Sequence, residues 1–291
     1  MPALDRLAER QLVLVTGKGG TGKTTLAAVL GQLLAARGQR VLLLEVESRE
    51  SLHQALGAEP SGGAVVQAGP RLWFQNLRPQ TVIEELVREK LPIAYLARRI
   101  TESPAFHQFV EGAPGLKETA LLGHAYRVLH GMHRPEVDVV IVDAPATGHG
   151  ATLLAAPGLM AQAAEGGQLG EMARDLATYL ADASRCGLVL TTLAEEMPVQ
   201  ETLELLQMLG TRLDLQPDLV VVNGLYPAVP EAGPQGAWAD LLRARYRMNQ
   251  EERARLARSW AGPLVDLPLL PLERGPALVA ALADTLRGAD R

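Results

Sequence analysis

A chain of 291 residues with 47 % hydrophobic content is long enough to bury a full core, as one large domain or two small ones. Its net charge of −5 lacks the basic footprint of a general nucleic-acid binder, and its one cysteine, Cys186, excludes an internal disulfide or a thiolate cluster built within one chain. No apolar run approaches the roughly 18 residues of a membrane span. The charged N-terminal stretch "MPALDRLAERQ" runs almost directly into the first apolar segment, so no secretory leader is expected and a cytoplasmic location is.

In chain order, "QLVLVTG" (11–17) reads as a buried strand stopped by glycine, and "KTTLAAVLGQLLAARG" as a helix closed by Gly38. "QRVLLLEVE" (39–47) is the next buried strand, which implies a right-handed parallel crossover. Further buried strands are expected at 137–145, 187–193, 218–226 and 263–270, separated by helical periodicity. The expected fold is therefore α/β, a mostly parallel sheet with helices on both faces. About 78–134 breaks this rhythm: "TVIEELVREKLPIAYLARRI" and "LKETALLGHAYRVLHGM" carry apolar residues at three and four spacing with no strand between them. This stretch and 153–184 are read as a helical subdomain inserted into a single domain covering 1–291. Cys186 is expected to be a buried small hydrophobe. "AVPEAGPQGA" (228–237) reads as a surface loop. The Arg-rich 243–260 carries Glu251 four residues before Arg255, the pattern of a solvated helix face.

Gly17-Lys18-Gly19-Gly20-Thr21-Gly22-Lys23-Thr24 satisfies G-x-x-x-x-G-K-S/T between a strand and a helix. Glycines let the backbone wrap phosphate oxygens, so that N–H groups and the helix N-terminus meet the negative charge. Lys23 is expected on the β- and γ-phosphates of ATP, and the Thr24 hydroxyl on Mg²⁺ together with Asp143 at the end of "VVIVD". Lys18 is a second cation in a loop that needs one. Beside Lys23 it is repelled unless further anionic charge lies nearby, so it is expected to point away from its own site. In a homodimer with apposed nucleotides it would reach the partner's phosphates and stabilise transition-state charge in trans, as an arginine finger does.

"KGGTGKTT" resembles the deviant Walker A motif of the ParA/MinD/Get3/ArsA group of P-loop ATPases, in which the early lysine is characteristic. "VDAPATGHGATLLAAP" (142–157) is similar to the switch II segment of the ArsA/Get3 branch, and "APGLKETALL" (113–122) to the Pro-Gly-x-x-Glu segment of that branch's helical subdomain. The resemblance implies nucleotide-binding roles for Gly17, Lys18, Gly19, Gly20, Thr21, Gly22, Lys23, Thr24 and Thr25. By the same likeness, Glu195 would stand near the partner's nucleotide, Asn223 would read adenine, and Pro271 would lie in the loop beside the base. The switch would comprise Asp143, Pro145, Thr147, Gly148 and His149, the last coupling the γ-phosphate to the helices beyond.

The chain departs from the family pattern after the second strand, where members carry Asp-Pro-Ala-His with a water-positioning aspartate. Here "EVESRES" puts Glu47 in that place, the candidate catalytic residue beside Lys18. The zinc-holding Cys-x-x-Cys pair and the arsenite-binding cysteines of family members are absent, which disfavours a metalloid pump motor. What the resemblance implies is a Mg-ATP-dependent homodimeric ATPase that couples hydrolysis to a protein client, with membrane-protein targeting as one use. The alternative is a ParA/MinD-like positioning or regulatory switch acting on a soluble partner; a small-molecule kinase or synthetase on the same fold would not need Lys18.

Overall fold

The computed structural model describes residues 3–46, 50–91, 93–133, 135–145, 150–164, 167–230, 233 and 235–289. A short helix, α1 (Ala3–Ala8), leads into strand β1 (Leu12–Gly17), helix α2 (Lys23–Ala36), β2 (Val41–Glu45) and α3 (Leu52–Leu56). A hairpin follows, β3 (Val66–Gly69) and β4 (Leu72–Asn76), then four helices: α4 (Pro79–Lys90), α5 (Ala94–Thr101), α6 (Pro104–Gly112) and α7 (Leu116–Leu129). The chain continues through β5 (Val139–Asp143), α8 (Gly150–Ala163), α9 (Gln168–Ala181), β6 (Cys186–Leu193) and α10 (Glu196–Met208), which runs on as a π-helical turn, Leu209–Leu213. β7 (Leu219–Leu225), α11 (Ala237–Ser259), β8 (Leu264–Pro268) and α12 (Pro276–Ala289) complete it.

The eight strands form one sheet in the order β3-β4-β2-β5-β1-β6-β7-β8. Only the β3–β4 pair is antiparallel. Side chains alternate across it: Leu12, Leu14, Leu42, Leu44, Val140 and Val142 face one core, with α4 and α7 to α10 over it. Val13, Val15, Leu43 and Ile141 face the other, under α1, α2, α3 and α12. Burial on both faces explains why these strands read as unbroken aliphatic runs. The parallel sheet wrapped by helices, with the glycine loop between β1 and α2, is the P-loop NTPase fold.

Two strands lie where no strand was expected. β4 pairs with β2 from Leu72↔Val41 to Asn76↔Glu45, and β3 edges it. β4 alternates buried and half-buried residues in "LWFQN", so it lacks the aliphatic run that marks the central strands. The helices over 78–134 do form without a strand between them, and local signals start two of them: Pro79 opens α4, and Ser103 caps α6 by accepting from the Phe106 N–H at 3.2 Å. Cys186 is half-buried, its Sγ donating to the Tyr179 carbonyl at 3.2 Å, and burial pushes its thiol up to about 12. On α11, Arg255 pairs with Glu252 at 3.2 Å and Arg253 with Asp266 at 3.0 Å, so Glu252 takes the place expected for Glu251. Among the described residues, no helix is long and apolar enough to cross a membrane.

Candidate functional site

The C-terminal ends of β1, β5, β6 and β7 converge on the loop 17–22. Two glycines there have no replacement. At Gly17, φ is 146° and an added Cβ would lie 2.2 Å from the Thr191 carbonyl oxygen; at Gly22, the left-handed N-cap of α2, φ is 94° and it would lie 2.2 Å from the Asn223 amide nitrogen. The loop is braced from below. The Thr21 carbonyl accepts from Thr191 Oγ1 at 3.1 Å and from Asn223 Nδ2 at 2.9 Å, and the Lys18 carbonyl accepts from Thr21 Oγ1 at 2.8 Å. Lys18, Gly19 and Gly20 form the exposed tip, while Lys23 is buried at the first turn of α2 with Nζ donating to the Lys18 carbonyl at 3.1 Å. Thr25 follows on α2, half-buried.

Thr24 Oγ1 donates to Asp143 Oδ2 at 2.6 Å, which brings the two expected metal ligands together across 119 residues of chain. Both are hard oxygen donors, Thr24 in the first turn of α2 and Asp143 at the end of β5, a set that fits Mg²⁺ and disfavours a soft metal. Glu45 lies directly opposite Asp143 in the β2–β5 register and is fully buried. Its carboxylate accepts from Ser51 Oγ at 2.5 Å and from the Ser51 and Leu52 N–H groups at 2.8 and 3.2 Å.

Lys18 Nζ makes an ion pair with Glu201 of α10 in the same chain. With side-chain exposures of 45 % and 33 %, such a pair is worth at most about 1 kcal/mol. Glu195 stands at the N-cap of α10, 3.6 Å from Arg245. Asn223 spends its amide N–H on the phosphate loop, and Pro271 is exposed in the loop between β8 and α12. Pro145 follows Asp143 and Ala144, the latter's N–H donating to the Val15 carbonyl at 3.0 Å. Glu47, Thr147, Gly148 and His149 lie outside the described residues.

Four residues of this arrangement were not expected: Glu45, Ser51, Thr191 and Glu201. A faint signal existed for two of them, a charge closing the apolar "VLLLE" and a polar pair interrupting "GLVLTTL". Nothing local marks Glu201.

Beyond Asp143, α8 begins with Gly150 packed so closely on β1 that an added Cβ would meet Thr16 Oγ1 at 2.3 Å. The helix then runs into the layer formed by α4 to α9. That layer holds a half-open apolar cavity of about 640 Å³, lined by residues that include Ile83, Leu86, Phe106, Leu116, Met172 and Leu176. Large apolar side chains are exposed on this layer: Phe109 on α6 and Leu169 and Met172 on α9, which line the cavity, and Ile93, Tyr95, Leu96 and Ile100 on and before α5, which do not.

Residues 10–178 match the family model described as anion-transporting ATPase. The ATPase BagA of Mycobacterium tuberculosis is 33 % identical over 242 residues, which cover 77 % of this chain and 67 % of that protein. The ATPase GET3 of Malassezia globosa is 24 % identical over 308 residues, covering 93 % and 88 %. The ATPase ASNA1 homolog 1 of Paramecium tetraurelia is 26 % identical over 168 residues, covering 55 % and 48 %. With a phosphate loop braced by two neighbouring strands and a family match across more than half its length, this chain is an ATP-hydrolysing enzyme and belongs to the ArsA-type anion-transporting ATPase family.

Proposed function

We propose that the protein is a Mg-ATP-dependent homodimeric switch that couples hydrolysis to binding and release of a protein client, with an apolar, membrane-destined segment as the client class. The observation that carries this reading is α8. Its first residue is wedged against β1 beside the phosphate loop, and its body packs on α7 and α9, two walls of the apolar cavity. A change in the segment after Asp143 is thereby delivered to α9, the helix that exposes Leu169 and Met172.

In this mechanism Thr24 and Asp143 would hold Mg²⁺, which would supply neutralisation of the phosphate charge. The glycine loop and the N-terminus of α2 cradle the phosphates, and Lys23 swings from the Lys18 carbonyl onto them. Glu47 orients the attacking water. Lys18 leaves Glu201, at a cost of at most about 1 kcal/mol for so exposed a pair, and meets the partner's phosphates, where a preorganised cation is worth far more. Glu195, Asn223 and Pro271 frame the nucleotide, and Thr147, Gly148 and His149 report the γ-phosphate to α8. The relatives named ATPase support the hydrolysis, and the exposed apolar side chains support the client class.

The trans role of Lys18 has a direct test. Lys18→Ala is expected to lower turnover roughly 10²–10³-fold with nucleotide binding retained. Lys23→Ala, which lacks its own phosphate anchor, is expected to be inactive too. Mixing the two restores hydrolysis, because one protomer then keeps an intact loop and receives Lys18 from the other. Two inactive variants that stay inactive when mixed would refute the shared site.

A further inference from the structure

We infer that Ser51 supplies a further oxygen donor to the divalent cation of this site, and that Glu45 is the positioning residue that turns it there. The inference rests on the reading of Thr24 and Asp143 as metal ligands, and it follows from where four protons and lone pairs go.

Ser51 occupies the N-cap of α3, where a serine ordinarily accepts from the first turn of its own helix, yet its side chain makes no such bond. Its hydroxyl has one proton, and that proton is claimed by Glu45 at 2.5 Å, the charged and shorter of its two possible acceptors. The oxygen itself sits 3.5 Å from Thr24 Oγ1. Thr24 has likewise committed its proton, to Asp143 at 2.6 Å. Two hydroxyl oxygens therefore face each other with lone pairs only. Lone pairs opposed across such a gap repel; a cation or its bound water between them reverses the sign.

Glu45 is costly for the fold. It is 0 % exposed, and a buried carboxylate costs several kcal/mol unless hydrogen bonds satisfy it. Its donors are the N–H and hydroxyl of Ser51 and the N–H of Leu52, while its own carbonyl accepts from the Leu77 N–H at 2.7 Å. Capping the five-residue α3 needs no buried charge, since Ser51 would do that alone. What the charge adds is orientation: it fixes the Ser51 proton away from Thr24 and pins residue 51 to the end of β2. Glu45 and Ser51 are thereby tied directly to each other.

The test is a Mg²⁺ titration of the full-length chain with a fluorescent ATP analogue, read as binding rather than turnover, beside the same binding in EDTA. Ser51→Ala is expected to raise the half-saturating Mg²⁺ concentration roughly 10-fold, in the range found for groups around a metal, with metal-free ATP binding unchanged. Ser51→Thr keeps the hydroxyl and is expected to match the wild type, and Glu45→Gln to behave as Ser51→Ala. A Mg²⁺ requirement unmoved in folded Ser51→Ala, or moved equally in Ser51→Thr, would overturn the inference whatever becomes of the folding of Glu45→Gln. Wild-type protein whose ATP binding ignored Mg²⁺ altogether would instead remove the metal site proposed above, and this inference with it.

Discussion

The phosphate end of the sheet and the helical layer built from α4 to α9 are held by different forces, and α8 touches both. At the phosphate end nearly every polar group is fixed by a named partner: Thr21 by Thr191 and Asn223, Thr24 by Asp143, Glu45 by Ser51 and Leu52. The aliphatic residues beneath are fully buried on both sheet faces. In the helical layer the packing is looser. An apolar cavity lies between its helices, and aromatic and branched side chains that could fill a core point into solvent. A site that must hold triphosphate charge in fixed geometry benefits from rigidity. A surface with the proposed role of accepting apolar segments would benefit from vacancy.

The largest expected effect tests the contrast in packing. Phe74 on β4 is wholly buried in the core under α2, so Phe74→Ala should cost about 3–5 kcal/mol of unfolding free energy. Phe106 on α6 already faces the cavity and is half-buried, and Phe106→Ala removes fewer contacts. Its cost is expected to be near 1 kcal/mol, the centre of the range for single substitutions. Urea melts of the two variants decide the matter. Equal losses would mean that the helical layer is as tightly packed as the sheet, and the comparison would fail.

The same contrast explains what was legible beforehand. The central strands were readable because burial on two faces leaves only aliphatic residues, as in "VVIVD", and the phosphate loop because its glycines sit at spacings set by backbone geometry. β4 escaped because "LWFQN" is covered unevenly, with Trp73 and Gln75 half-buried, and its strand character comes from pairing with β2. Thr24 and Asp143 could be paired in advance because one opens a recognisable helix and the other closes a recognisable strand. Glu201 could not, since its contact with Lys18 spans 183 residues and depends on how α10 lies over the loop. Ser51 was hidden for another reason: the signal was the neighbouring Glu47, and the part played by Glu45 appears only once the β2–β5 register sets it opposite Asp143.

A pH-dependent cost sharpens the comparison within the helical layer. His124 on α7 is buried and stacked on His133, ring centroids 4.9 Å apart, and its Nε2 has no hydrogen-bond partner among the described residues. Burial, then the charges of His133 and Arg127, pulls its pKa down to about 4 from the ordinary 6.5. The unfolded chain therefore binds this proton first as pH falls. Stability is full above about pH 6.5 and declines from there to about pH 4, by up to about 3 kcal/mol from this group at 1.36 kcal/mol per unit. Melts of His124→Gln across that range are expected to lose most of the slope. A slope unchanged by the substitution would assign the acid sensitivity to other groups.

The smallest expected effect on stability separates a surface kept apolar for use from one merely tolerated. Tyr95 is 72 % exposed and Phe109 is 56 % exposed, so replacing both by serine should change unfolding free energy by no more than about 0.5 kcal/mol each. If the face serves only to complete the fold, an environment-sensitive apolar dye should bind the double variant as it binds the wild type. If the face receives an apolar segment, dye fluorescence should fall while urea melts and ATP hydrolysis stay as they were. The decision lies in the pairing of these readouts. Lost dye binding together with lost stability would show that the two aromatics are structural after all, and the helical layer would then differ from the phosphate end in degree of packing alone.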